Sequence, residues 1–407
     1  MEKRKLIEMG TLSRGRSQHR PRNDSKLYGG KYPFIQTGDV KNSNLYIEKY
    51  SQTYNDFGLN QSKLWPENTL CITIAANIAD TGILSFPACF PDSIIGFTAT
   101  KGKTDVRYVK YCFDLLQKSI QNMSKGSTQD NLSMEKLEQL EFNCPSFENQ
   151  QKIAAVLSSL DDKIALNNRI NAKLEQMAKR LYDYWFVQFD FPNADGKPYK
   201  STGGKMVWNE TLKREIPDGW EVGNLYDIAE YVNGLACQNY RPKESEKSLP
   251  VIKIREMNEG ITADTEKVSA SIPGKYRIYA GDILFSWSAS LEIKIWTGET
   301  GGLNQHIFKV IPKGYFSKGY VYQQLSAYLV NFQKMAESRK TTMGHITSDH
   351  IKQSRILIPP KEIISAFTKK TLSIFNYQLS IEKETQKLTA LRDRLLPLLM
   401  NGQVEVE

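Results

Sequence analysis

The sequence predicts an α+β fold: two globular α/β domains in a pseudo-two-fold arrangement, separated by two long antiparallel coiled-coil helices. Three observations carry this. Stepping alternately by four and three residues from Ile153 gives Leu157, Leu160, Ile164, Asn167, Asn171, Leu174, Ala178, Leu181 and Trp185, the seam of a long helix that packs on another helix. The same steps taken 214 residues later give Phe367, Thr371, Ile374, Gln378, Ile381, Thr385, Leu388, Arg392, Leu395 and Leu399, a second, mostly apolar seam. The segments between the helices also recur, at offsets that drift only from 214 to 217. A shared rhythm alone would not keep the helix seam in register, so the chain is two copies of a globular domain plus a long helix.

The first domain is placed at residues 1–144. KYPFIQTGDV (Lys31 to Val40) and NTLCITIAANI (Asn68 to Ile78) read as strands, with turns at Gly29-Gly30 and Gly38-Asp39. A helix is expected over Val106 to Met123, followed by the small-polar loop Ser124 to Ser133. Residues 145–200 form a central region, whose helix opens at Pro145-Ser146 and closes near Phe191-Pro192. Some 40 residues at ~1.5 Å each span about 60 Å, more than the width of a small domain.

The Gly- and Pro-rich stretch NADGKPYKSTGGKMVWNETLKREIPDGW reads as a linker that opens a new domain near Gly219-Trp220, within a second domain placed at 201–358. Pro250-Val251-Ile252-Lys253 then matches Pro33-Phe34-Ile35-Gln36 at an offset of 217. GDILFSWSASLEI (Gly281 to Ile293) matches ENTLCITIAANIA (Glu67 to Ala79) at 214, and Leu132, Leu137 and Pro145 fall on Ile346, Ile351 and Pro359. Residues 359–407 hold the second helix.

The polar seam residues Asn167 and Asn171 have two readings: a device that fixes register at some cost in stability, or a frayed, solvated stretch. Gln378, Thr385 and Arg392 interrupt the second seam, which can lean instead on Ile364, Phe375, Leu391 and Leu396. Because the second helix is internal, the pattern argues for an intramolecular pseudo-dimer rather than a homodimer.

A formal charge of +9, a pI near 9.0, 20 Tyr and 6 Trp point to a polyanionic partner. No apolar run approaches bilayer-spanning length and MEKRKLIEMG lacks the core of a signal peptide, so a cytoplasmic, membrane-free protein is expected. Cys71, Cys89, Cys112, Cys144 and Cys237 are scattered and odd in number, and with four His they form no metal-ligand spacing; they read as reduced core thiols.

No active centre is expected. The sole Pro-Pro, Pro359-Pro360 in LIPPKE, lacks the flanking residues of an amino-methyltransferase motif. Asp282 with Glu292 and Lys294 resembles the D…E-x-K set with which PD-(D/E)xK nucleases hold Mg²⁺. The offset of 214, however, puts Asn68 and Ile78 at the carboxylate positions, so the set is not shared by the two copies. Gly301 to His306 lacks a phosphate-loop pattern and reads as a turn feeding a strand from His306 to Ile311, and His306 and His345 have no evident catalytic partner. Catalytic and metal-binding residues are therefore set at none.

Two pseudo-symmetric readers at fixed separation suit a DNA duplex, whose grooves recur every ~10 bp along one face. The first-choice contacts are Lys125, Ser127, Thr128 and Gln129 before the first long helix and Arg339, Lys340, Thr341, Thr342 and His345 before the second, polar donors flanked by cations at equivalent places. Second choices are Arg14, Arg16, Arg20 and Arg22 in the loop SRGRSQHRPRNDSK, together with Lys253 and Arg255, which in the alternation VIKIRE equally suit the solvent face of a strand. Lys163, Arg169, Lys173, Lys179 and Arg180 on the first long helix form a candidate docking surface.

The stretches LYGGKYPFIQTGDV, GGLNQHIFKV, TTMGHITSDHIKQSRILIPP and DGKPYKSTGGKMVW, with helices ending LYDYWFV and LRDRLLPLLMNGQV, resemble the specificity subunit of type I restriction-modification systems over essentially the full length. The resemblance implies two target-recognition domains separated by helical conserved regions, binding an asymmetric bipartite site on double-stranded DNA. It also implies assembly with two methylation subunits, which methylate adenine N6 from S-adenosylmethionine, and with restriction subunits that translocate and cut DNA. No cofactor is expected in this chain; S-adenosylmethionine, ATP and Mg²⁺ belong to the partners. The competing readings are a non-catalytic scaffold or anti-restriction pseudo-dimer and, further off, the nuclease.

Overall fold

A computed structural model describes residues 2–74, 79–123, 133–288, 290–338 and 346–406, of which 118–123 and 336–338 are described in backbone only. The chain forms two compact units, Met1–Leu166 with Lys387–Glu407 and Asn167–Gln386.

In the first unit, strands β1 (Gly10–Arg14), β2 (Tyr46–Ile47), β3 (Leu70–Thr73), β4 (Thr81–Leu84) and β5 (Ile94–Ala99) form one sheet in the order β1-β5-β3-β4-β2. Only the β2–β4 pair is parallel. Helix α1 (Val106–Met123) lies against this sheet, and the strand Glu141–Cys144 leads into the long helix α2 (Phe147–Tyr182). The core joins Leu70, Ile95, Phe97, Tyr108, Phe113 and Phe142 to Ile153, Ala154 and Leu157 of α2 and to Leu396, Leu399 and Met400 of the second long helix. KYPFIQTGDV is only partly a strand. It ends at Phe34, and Thr37–Lys41 turn into a short helix in which the Asp39 carboxylate accepts the Gln36 N–H.

In the second unit, β6 (Ala229–Asn233), β7 (Ile283–Ser286), β8 (Glu292–Ile295) and β9 (Ile307–Pro312) form an antiparallel sheet in the order β6-β9-β7-β8. Helix α3 (Lys318–Ser338) contacts its β8 and β9 strands, and helix α4 (Lys361–Met400) follows the strand Ile356–Ile358. The stretch expected to be a linker is folded: Met206–Asn209 pairs with Arg214–Pro217 in a hairpin. Phe191 stacks on Trp220, and Ile216 joins the same buried cluster as Trp185, Phe186, Tyr320 and Phe367. Gly and Pro composition reports backbone turns but not the aromatic side chains that fasten them.

The duplication is visible in the hydrogen bonds. Tyr108 of α1 donates its hydroxyl to the Asn143 carbonyl at 2.6 Å, and Tyr320 of α3 donates to the Leu357 carbonyl, 214 residues later, at 3.4 Å. Strand Glu2–Lys5 pairs with Cys144 as Glu221–Gly223 pairs with Ile358. The register also corrects the alignment by one residue. Leu70 faces Phe97 across β3 and β5 just as Ile283 faces Val310 across β7 and β9, so the offset there is 213 rather than 214. A one-residue slip turns every side chain to the other face, so this matters for site residues.

The seam positions are buried or half-buried, Leu160, Leu174, Ile374 and Leu388 among the latter. In the first unit, Tyr111 and Arg392 converge on Asp161: the phenol donates to one carboxylate oxygen at 2.7 Å and the guanidinium to the other at 2.9 Å. In the second, Asn167 is 1% exposed and donates to Glu384 at 2.8 Å, and Asn171 donates to Glu382 at 3.1 Å, so this stretch is packed rather than frayed. These partners run in opposite senses along α2 and α4, the antiparallel order. Thr371 and Thr385 return their hydroxyls to the Phe367 and Ile381 carbonyls, which lets a polar β-branched residue sit in an apolar seam. Of the helper positions, Ile364 and Leu396 are buried, Phe375 half-buried and Leu391 exposed, because Leu391 lies off the covered stripe.

All five cysteines are free and buried, and burial raises the Cys89 and Cys237 thiols to about 11. A thiol reagent at pH 8 is therefore expected to label the native chain at none of them and all five after denaturation. Arg392→Ala would leave the Asp161 carboxylate, 11% exposed, with the Tyr111 hydroxyl and without its cation. Urea unfolding should show a loss of about 2–4 kcal/mol, against under about 0.5 for Leu391→Ala.

Candidate nucleic-acid interface

The first-choice contacts Lys125, Ser127, Thr128, Gln129, Arg339, Lys340, Thr341, Thr342 and His345 all lie outside the described residues. The residues that flank them define the place. Beyond 124–132, the Ser133 hydroxyl caps a short helix, and it helps to hold the Glu135 carboxylate below its usual range, with Arg14 at the end of β1 adding to the effect. Beyond 339–345, the Ile346 N–H donates to the Trp287 carbonyl at 3.0 Å, just past the end of β7. The residues that follow, Ser133 and Ile346, thus lie near one end of the sheet in their own unit.

At that end of the first unit sits the arginine loop. Arg14 is exposed, and its guanidinium makes no hydrogen bond among the described residues. The exposed Arg16 guanidinium bonds the Gln18 side-chain oxygen at 2.7 Å and pairs with no carboxylate among the described residues. Arg20 turns back onto the Ser17 and His19 carbonyls at 2.8 and 2.9 Å, and Arg22 pairs with Asp92 at 2.8 Å. The loop is braced by His19, bonded to Asp24 at 2.9 Å and set edge-on to Phe57. The two outer arginines are thus presented, while the two inner ones build the loop that presents them.

Lys253 and Arg255 are not on a strand face. The strand ends at Ile252, Lys253 precedes a helix over Ile254–Glu259, and Arg255 lies within that helix. Lys253 pairs with Glu266 at 2.6 Å and Arg255 with the buried Glu256 at 2.7 Å, so both cations are already matched. Sequence could not show the Lys253 pair, because a short helix and a loop separate Glu266 from Lys253.

The corresponding end of the second unit holds residues that periodicity did not flag. The Trp287 indole N–H donates to the Asn233 side-chain oxygen at 3.1 Å, and the Trp287 ring packs on His306 at 5.5 Å. Gln305 lies 3.3 Å from His306 Nε2. The strand expected from His306 begins instead at Ile307, the start of β9.

The nuclease set does not assemble. Asp282 precedes β7 and is bound by Lys309 at 2.7 Å and Lys318 at 3.5 Å, whereas Glu292 pairs across from Ser286 at the far end of the hairpin. Four strand residues separate the two carboxylates by about 13 Å, too far to share one ion. The register also places Asp80 rather than Ile78 at the position of Glu292: Ile72 faces Thr81 as Phe285 faces Ile293. Among the described residues, no group of three or more His, Cys, Asp or Glu is placed to hold a metal, and no helix is long and apolar enough to cross a membrane.

A duplicated α+β unit with a long helix, carrying basic and amide side chains at one sheet end, has the make-up of a recognition protein. The family model of the type I restriction modification DNA specificity domain matches the chain twice, over residues 1–176 and 217–391. The chain belongs to this family, and DNA specificity in a type I restriction-modification system is its role. It is similar to the type I restriction enzyme MjaIX specificity subunit of Methanocaldococcus jannaschii, 26% identical over 99% of this chain and 93% of that protein. The HindI specificity subunit of Haemophilus influenzae is 29% identical over 69% of this chain and 72% of its own length. The crystal structure of a type I restriction-modification S subunit from M. genitalium shares the fold, with a TM-score of 0.61 at 15% identity, covering 98% of this chain and 96% of that one.

The contrast between free and matched cations is measurable in the assembled complex. Arg16→Ala should weaken DNA binding severalfold and reduce the slope of log affinity against log salt by about one, as loss of a phosphate contact does. Lys253→Ala, which removes one half of a surface ion pair, should leave that slope unchanged.

Proposed function

We propose that this chain selects an asymmetric DNA site of two short blocks with a fixed gap, one block read by each unit, and that it carries no reaction of its own. The observation that supports this most is the pairing of a duplicated fold with non-identical side chains at the same sheet end: Arg14 and Arg16 in one copy, Asn233 and Trp287 in the other. Equal backbones and unequal readers make unequal half-sites. Each of the long helices α2 and α4 begins in one compact unit and ends in the other, which suits them to set the gap.

A subunit that only selects must recruit its chemistry. We assign S-adenosylmethionine, ATP and Mg²⁺ to methylation and restriction partners, within the cytoplasm where the genome lies. The apolar side chains left outward on the helices in the second unit, Met177, Leu372 and Tyr377, each more than half exposed, favour a protein partner there, with the exposed Arg169, Lys173 and Arg180 alongside. Lys179 is already paired with Asp183.

Mapping methylated adenines in the host genome with and without the gene tests the reading. One split, asymmetric motif should vanish on deletion; persistence of every motif refutes it. Inserting one heptad at matched places in α2 and α4 adds about 10.5 Å of helix, so the gap should lengthen by about 3 bp while both blocks stay unchanged.

A further inference from the structure

The two copies differ at one exposed position that the register makes equivalent. Arg14 closes β1 opposite Ile95, and Asn233 closes β6 opposite Phe308. Ile95 and Phe308 are themselves equivalent, since Ile72 faces the first and Phe285 the second on the next strand. A glycine follows each residue. The Gly15 N–H donates to the Ile94 carbonyl at 2.9 Å and the Gly234 N–H to the Ile307 carbonyl at 3.2 Å. A Cβ on either would collide with backbone, the Pro91 carbonyl in one case and the Asn304 carbonyl in the other. Close backbone packing therefore fixes the main chain at the same sheet end in both copies.

We propose that Arg14 and Asn233 are the matched base-reading positions of the two units, Arg14 taking a guanine in one half-site and Asn233 an adenine in the other. The proposal rests on the reading of the chain as a two-unit DNA specificity subunit. The Arg14 guanidinium makes no hydrogen bond among the described residues, and its fork of donors matches O6 and N7 of guanine. Asn233 is neutral, so phosphate attraction gives no reason for its exposure. Its amide is oriented by the Trp287 indole, which uses one lone pair of the oxygen. The second lone pair accepts from adenine N6 while the amide N–H donates to N7, the two-point match of Asn to adenine. Trp287 is held in turn by its backbone bond to the His306 carbonyl at 3.2 Å and by its ring contact with Phe308.

The test is the methylated motif directed by the full chain with its methylation and restriction partners. Asn233→Ala should relax one adenine position in one block by roughly tenfold or more, and Arg14→Ala one guanine position in the other block by a similar factor. Asn233→Arg should move the preference at the first position towards guanine. Glu230→Ala, an exposed change in the middle of β6, should leave both blocks intact and so reports on folding of that strand. Variants that weaken methylation of every site equally while the motif stays unchanged would mark both residues as phosphate contacts and overturn the assignment. So would two changes falling in the same block. A wild-type chain that directs no split motif would overturn the functional reading itself, and the base assignment with it.

Discussion

Everything in this fold depends on burial of one stripe of each long helix. The 36 residues of α2 and 40 of α4 are mostly polar around their circumference, so neither helix has a core of its own. In the first unit Ile153 and Leu157 of α2 share a buried cluster with Leu396 and Leu399 of α4, and in the second Trp185 shares one with Phe367. Each fully buried side chain of this size contributes about 1.5–3 kcal/mol, so a handful suffices to hold the pair. Because the same residues also enter the domain cores, sheet and helix cannot separate without opening both.

That coupling explains where polar groups are tolerated. Asp161 sits where α1, α2 and α4 meet, with both oxygens satisfied by Tyr111 and Arg392. Asn167 and Asn171 reach carboxylates of α4 that only one sliding position of the helices would offer. An apolar seam would bind more tightly but would tolerate a slip of one heptad; these contacts penalise it, because the buried Asn167 amide would be left without its carboxylate partner. Register in the helices thus becomes length, the quantity that the proposed gap between two DNA blocks would depend on.

The heptads, the helix Val106–Met123 and the duplication were all legible in the sequence, because each is written in apolar spacing over many residues. Short β segments were less so. Four-residue strands such as Leu70–Thr73 and Ile283–Ser286 are buried on both faces and carry no alternation, so the sequence does not distinguish an offset of 214 from the 213 of the sheet register. The hairpin at Met206–Pro217 was hidden by its turn residues, and the matched charge of Lys253 by its carboxylate thirteen residues on. What decides whether an arginine is available is its neighbour in space, and no spacing rule reports that.

The contrast between the copies follows from the same logic. Duplication preserves the parts whose geometry is shared, such as the tyrosine bonds from Tyr108 to Asn143 and from Tyr320 to Leu357, since losing either would leave a buried carbonyl without its donor. It places no such demand on a side chain that points to solvent from a pinned strand end. Arg14 and Asn233 occupy equal backbone positions and touch nothing that must be conserved between the copies except the glycine that follows each. Sequence can therefore diverge there at almost no cost to folding, which is the freedom that two readers of different DNA words require.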